Sequence, residues 1–230
     1  MVFDNTTKLN RHRFAVVVIL SIFISGCSEQ LTKTEPTLQD AVDAPAADLA
    51  LSYLSMKHTV RFVAIGERAT VTIGNTTINK DNVEEYKAKF GERLSLYEQA
   101  IRQRGFKAVA GQYKGEATES CVRSNAMWAA LIQRQSHKAI EITQDDMDAQ
   151  VIIKVEHEGK ERSLKNSAAV AESAMALNEA SNSDYYFRGE IKGNLIVFKP
   201  DLLVLKTWPK WANPPSRSDL EECVITLERL

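Results

Sequence analysis

Between Gly111 and Arg229 the chain repeats one theme, short segments of alternating apolar and polar residues separated by tight-turn signals. Successive strand residues point to opposite faces, so segments of this kind fold as half-buried strands. "GQYKGEATESC" opens the series, with Tyr113, Gly115, Ala117 and Cys121 sharing one parity. "KAIEITQ" and "AQVIIKVEH" flank "DDMD", and "DYYFRGEI" and "NLIVFK" flank Lys192-Gly193, which predicts two hairpins. "DLLVLK", after Pro200-Asp201, reads as a further strand, and "ECVITLER" as the last. Between them "SNAMWAALIQ" and "SAAVAESAMALNEA" read as helices, the second because of its alanines. Cys121, ending the first strand, and Cys223, opening the last, both have the parity of the apolar face. If those strands pair antiparallel, the sulfurs meet and the sheet curls shut into a small barrel. A slip of one residue in register would part them.

The preceding stretch has a different rhythm. In "TVRFVAI" Val60, Phe62 and Ala64 share a face, and in "RATVTI" Ala69, Val71 and Ile73 do the same. With turn signals at Gly66-Glu67 and Gly74-Asn75, a three-strand meander is expected. The period then switches: Val83, Tyr86, Phe90, Leu94, Tyr97 and Ile101 recur at steps of three and four, one face of a helix. Asn82 with Glu85 predicts a capping box, Arg102 and Arg104 suit the last turn, and Gly105 ends the helix. The expected fold class is therefore α+β. A β-meander plus amphipathic helix over 50–106 precedes an antiparallel sheet or small β-barrel with helical excursions over 107–230, as one domain or two.

The N-terminus carries an address. Lys8, Arg11 and Arg13 precede an apolar run from Phe14 to Ile24, about 11 residues, against roughly 20 needed to span a bilayer as a helix. Basic flank and short apolar core are the layout of an export signal. The run ends in Ile24-Ser25-Gly26-Cys27, an aliphatic residue, two small ones and a cysteine. Residues 1–27 resemble the signal peptide and lipobox of bacterial lipoprotein precursors. The resemblance implies cleavage before Cys27, acylation of its thiol and new amino group, and a membrane as first partner through the lipid; two or more chains give stable anchoring. Ser28 rather than Asp after the Cys implies the outer membrane, with the folded part in the periplasm. Residues 27–49, polar and containing Pro36 and Pro45, read as a flexible tether. Export also places Cys121 and Cys223 in an oxidising compartment, where they are expected to bridge.

Removing Lys8, Arg11, Arg13 and Asp4 with the signal leaves 26 basic against 29 acidic residues. A slightly acidic chain without a basic stripe does not read as a nucleic-acid binder. Catalytic grammar is missing: there is no Gly-x-Ser-x-Gly elbow, no His-Glu-x-x-His and no phosphate-cradling glycine loop. His58, His137 and His157 lie far apart, and no cofactor or metal is implied. Asp145, Asp146 and Asp148 lack the glycine turn of a calcium loop and read as a solvated hairpin tip. Glu156, His157 and Glu158 lie at a strand end, where neighbours face opposite ways. The most unusual segment is "KTWPKWANPPSR": Trp208 and Trp211 among three prolines make either a lid over a barrel mouth or a recognition surface, which Tyr185 and Tyr186 could join. The expected function is a non-enzymatic envelope binding module for a protein, glycan or apolar ligand. The alternative is an accessory subunit of an envelope complex, and an envelope hydrolase is a weaker third.

Overall fold

The computed structural model describes residues 35–124, 126–134, 137, 139–179, 185–207 and 214–230. Eight antiparallel strands close into a barrel: β3 (Gly111–Ala117), β4 (Ala139–Asp145), β5 (Asp148–His157), β6 (Lys160–Ala171), β7 (Ala174–Asn178), β8 (Tyr186–Lys192), β9 (Leu195–Pro200) and β10 (Ile225–Arg229). Each pairs with its neighbour in sequence, and β10 shuts the cylinder by pairing with both β9 and β3. The pairing Leu227↔Gly115 and Ile225↔Ala117 is the register that the parity of the two cysteines predicts.

Inward residues of every strand make one core, among them Tyr113, Ile140, Val151, Val170, Leu177, Phe198 and Leu227. The cylinder is not empty. The connection from β3 to β4 carries α4 (Glu119–Arg123) and α5 (Met127–Gln133), and α5 sends the fully buried Trp128 into the interior. Its indole meets Phe187 and Phe198 edge-on, with centroids 5.2 and 5.6 Å apart. Gly115 and Gly189 make room for this filling: a Cβ on the first would lie 2.4 Å from Ile140 Cδ1, and on the second 2.6 Å from Phe198 Cε1. The β9–β10 connection carries α6 (Val204–Thr207) and α7 (Arg217–Glu222). Cys121 and Cys223, both fully buried, are joined as a disulfide between α4 and the end of α7. Thr118 and Val224 exchange hydrogen bonds beside it (Thr118 N–H to the Val224 carbonyl, 3.0 Å; Val224 N–H to Thr118 Oγ1, 3.0 Å), so the staple sits where the β3–β10 ladder runs out.

Outside the barrel lie α1 (Leu38–Asp43), α2 (Ala46–Val63), the hairpin β1–β2 (Val71–Ile73, Thr76–Ile78) and α3 (Val83–Arg104). A second core joins α2 and α3 to the outward Ala169, Ala171 and Ala176. Helix α2 is apolar on most of its circumference because it lies between two partners, the sheet and α3. Arg104 bolts the layers together. Its guanidinium grips Glu172, at the β6–β7 turn, in two bonds of 2.9 and 3.0 Å and also donates to the Val42 carbonyl at 3.0 Å.

Several expectations are corrected. Val60, Phe62 and Ala64 lie in or just after α2, not in a strand, so the meander is a two-strand hairpin. Burial of Leu49, Tyr53, Met56 and Val63 on one helix outweighs the strand preference of Val60. The tether expected to reach residue 49 gives way to helix from Leu38, where Thr37 and Asp40 form a capping box and Ala41 is buried. Asn82 does not cap α3 with its side chain; its Oδ1 accepts from the Asn79 N–H at 2.9 Å and its amide donates to the Thr77 carbonyl at 3.0 Å. Of "SAAVAESAMALNEA", residues 167–178 are β6 running into β7: Ala169, Ala171 and Ala176 are small because α2 packs on that face. "DLLVLK" is a turn leading into α6. Cys121 and Cys223 belong to helix ends rather than to strands.

Candidate functional site

Beside α2, which packs on β6, β7 and β8, a cleft of about 340 Å³ opens along the outside of β4, β5 and β6. The helix contributes Lys57, His58 and Arg61 from adjacent turns, together with Leu54. Facing them are Thr143, Asp145, Asp148 and Gln150 from β4 and β5, and Ser167 from β6. These residues alternate along their strands with the barrel core, which is why polar side chains here face outward.

The cleft is electrostatically divided. At one end Asp148 forms an ion pair with Lys57 and accepts from the Tyr53 hydroxyl at 3.2 Å. Burial and the Asp148 charge together push the Tyr53 phenol above its usual range. Asp146, at the same turn, pairs with Arg102 of α3. Asp148 and Asp146 of the aspartate-rich tip thus each pair with a helix, while Asp145 and Asp146 stay exposed to solvent as the sequence suggests. Gln144 locks this turn, accepting from the Val109 N–H at 2.6 Å and donating to the Asp146 carbonyl at 2.9 Å. Arg61, on the solvent side, has no carboxylate partner among the described residues.

His58 sits deeper, 3.2 Å from the Tyr186 hydroxyl. Burial, assisted by the positive charges of Arg61 and Lys57, lowers its pKa to about 4. The folded state thus binds this proton more weakly than an unfolded chain with an imidazole near 6.5. Stability from neutral His58 is complete above pH 6.5 and is lost as the pH falls toward 4. Denaturant titrations are expected to show a loss on the order of 2 kcal/mol between pH 7.5 and 4.5, much reduced in His58→Gln. An equal loss in that variant would assign the acid sensitivity to other groups.

The residues singled out in sequence divide. Tyr185 is fully buried, stacks on Phe187 at 4.9 Å and donates its hydroxyl to the Ser124 carbonyl at 3.0 Å; it is barrel core, not binding surface. Tyr186, one residue on, faces outward and supports His58. Trp208 and Trp211 lie outside the described residues. Lys57, His58 and Arg61 were missed, because their segment read as unassigned chain running into a strand. Their spacing on a helix was the available signal.

No group of three His, Cys, Asp or Glu side chains among the described residues is placed to hold a metal ion. No described helix is long and apolar enough to cross a membrane. No family model, curated protein or solved structure matches the chain.

Proposed function

We propose that the chain is a lipid-anchored cell-envelope protein that acts by binding rather than by catalysis, and that the α2–barrel cleft takes a glycan. The observation behind the glycan reading is the lining itself. The Arg61 guanidinium, the Lys57 ammonium, the carboxylates of Asp145 and Asp148, the amides of Gln144 and Gln150 and the hydroxyls of Thr143 and Ser167 line one opening, with Leu54 and the aliphatic stems of the long side chains as its apolar surface. Sugar hydroxyls both donate and accept, so they suit a wall that offers both roles. The filled barrel interior supports the same reading, since an apolar ligand finds no lumen where Trp128 packs. The anchor rests on residues 14–27, and with Ser28 they favour the outer membrane, the folded part facing the periplasm.

Titration with peptidoglycan glycan strands tests the cleft. Arg61→Ala and Gln150→Ala are each expected to weaken binding about tenfold, the scale of one hydrogen bond involving a charged or well-placed group. Unchanged affinity in both variants would remove the cleft as the site. Fractionation tests the anchor separately: Cys27→Ser is expected to move the protein from the membrane to the soluble fraction.

A further inference from the structure

We infer that the glycan taken by the α2–barrel cleft is an acidic one, a sugar that carries a carboxylate next to a hydroxyl or amide N–H; the inference rests on the glycan reading and narrows it. Helix α2 runs across the outside of the sheet from β8, where Asp48 pairs with Arg188, toward β5, where Lys57 pairs with Asp148. Continued, that heading reaches β4, and there Arg61 and Asp145 line the cleft together. Arg61 is one turn past Lys57, about 6 Å along the helix. Asp145 is the cross-strand partner of Asp148, about 5 Å from it. Helix and sheet thus present two cation–carboxylate rungs side by side. The first is closed by its own ion pair. The second is open: among the described residues neither Arg61 nor Asp145 has an ion-pair partner, and both are exposed.

What closes an open rung has to accept on the helix side and donate on the sheet side. A guanidinium presents a planar fork of donors that a carboxylate meets with two parallel bonds, whereas a single hydroxyl uses one of them. The aspartate across the cleft accepts only, so an O–H or N–H stands next to the ligand's carboxylate. Reversed, that carboxylate would face Asp145 and be repelled, so the rung also fixes the direction of the sugar. His58 adds no charge near neutral pH, because burial lowers its pKa to about 4. Beside the rung Thr143, Gln150 and Ser167 form a polar row across three strands, in the register Thr143↔Gln150 and Gln150↔Ser167. With a step of about 4.8 Å per strand, the row offers a donor and an acceptor at each step to the hydroxyls of the neighbouring ring.

The test titrates the full chain in detergent with peptide-free peptidoglycan strands, which carry a carboxylate on alternate sugars, and with the same strands after their carboxyls are reduced to alcohols. The acidic strands are expected to bind about tenfold more tightly at low ionic strength, the scale of a hydrogen-bonded charge pair. The difference is expected to shrink in about 1 M salt, which screens charges beyond roughly 3 Å. Arg61→Gln is expected to bring the two affinities together while its thermal unfolding stays that of the parent. A polyuronate oligosaccharide run alongside separates a ring carboxylate from an ether-linked one, and the tighter of the two acids names the source. Equal affinity of acidic and reduced strands for the parent would overturn the inference and leave the glycan reading standing, and so would a preference that survives Arg61→Gln. Binding of neither strand would overturn both.

Discussion

Trp128→Ala is expected to lower the unfolding free energy by about 3–5 kcal/mol, the range for truncating a large buried aromatic. The indole is fully buried in the cylinder and makes two edge-on ring contacts, each of which adds to the burial term. The cavity cannot collapse easily, because a closed hydrogen-bonded sheet surrounds it. For a chain of this size that loss lowers Tm by on the order of 10 °C. Trp128→Phe is expected to cost much less, since it keeps most of the apolar volume and removes an indole N–H that has no partner among the described residues. Denaturant titration of the three proteins checks both. A loss below about 1 kcal/mol for the alanine variant would mean that the barrel interior is not close-packed around this residue.

Replacing Cys121 and Cys223 together by alanine is expected to cost about 2–5 kcal/mol. The bridge joins positions 102 residues apart, so it removes a large loop entropy from the unfolded chain. Both sulfurs are buried under α4 and α7, where Arg123 donates to Asp219 at 2.7 Å across the same junction. A reductant therefore has to wait for the structure to open. Thermal unfolding with and without reductant separates the contributions: the double variant should be insensitive to it, and the parent should approach the variant only after reduction under denaturing conditions. Identical stability of parent and variant would make the bridge energetically idle.

The barrel was largely legible because its information is local. The hairpins at Asp145–Asp148 and Lys192–Leu195 have turn residues between alternating runs, and Ile225, Leu227, Tyr113 and Ala117 share the parity that closes the cylinder. The misreadings occur where a second layer changes what a residue type means. Ala169, Ala171 and Ala176 look like helix formers, yet they are small so that α2 can lie on the strands. Val60 and Phe62 alternate like strand residues, yet the burial that decides their state comes from Leu49, Tyr53 and Met56 upstream. The cleft was hidden for the same reason. Its cations sit on that misread helix, and the carboxylates across from it read as a turn exposed to water.

The seam between β3 and β10 shapes how the barrel is reached as well as how it is held. Its two strands are remote along the chain, so pairing them carries loop-closure entropy that no local contact offsets. Hairpins such as β4–β5 and β8–β9 form first at lower cost, which leaves an open sheet with two bare edges until the seam shuts. Bare edges recruit other chains, so this interval is when the molecule is most prone to aggregate. A bridge at Cys121–Cys223 placed beside the seam shortens that interval, and its value to the cell is then measured in yield of folded protein as well as in the stability of the finished one.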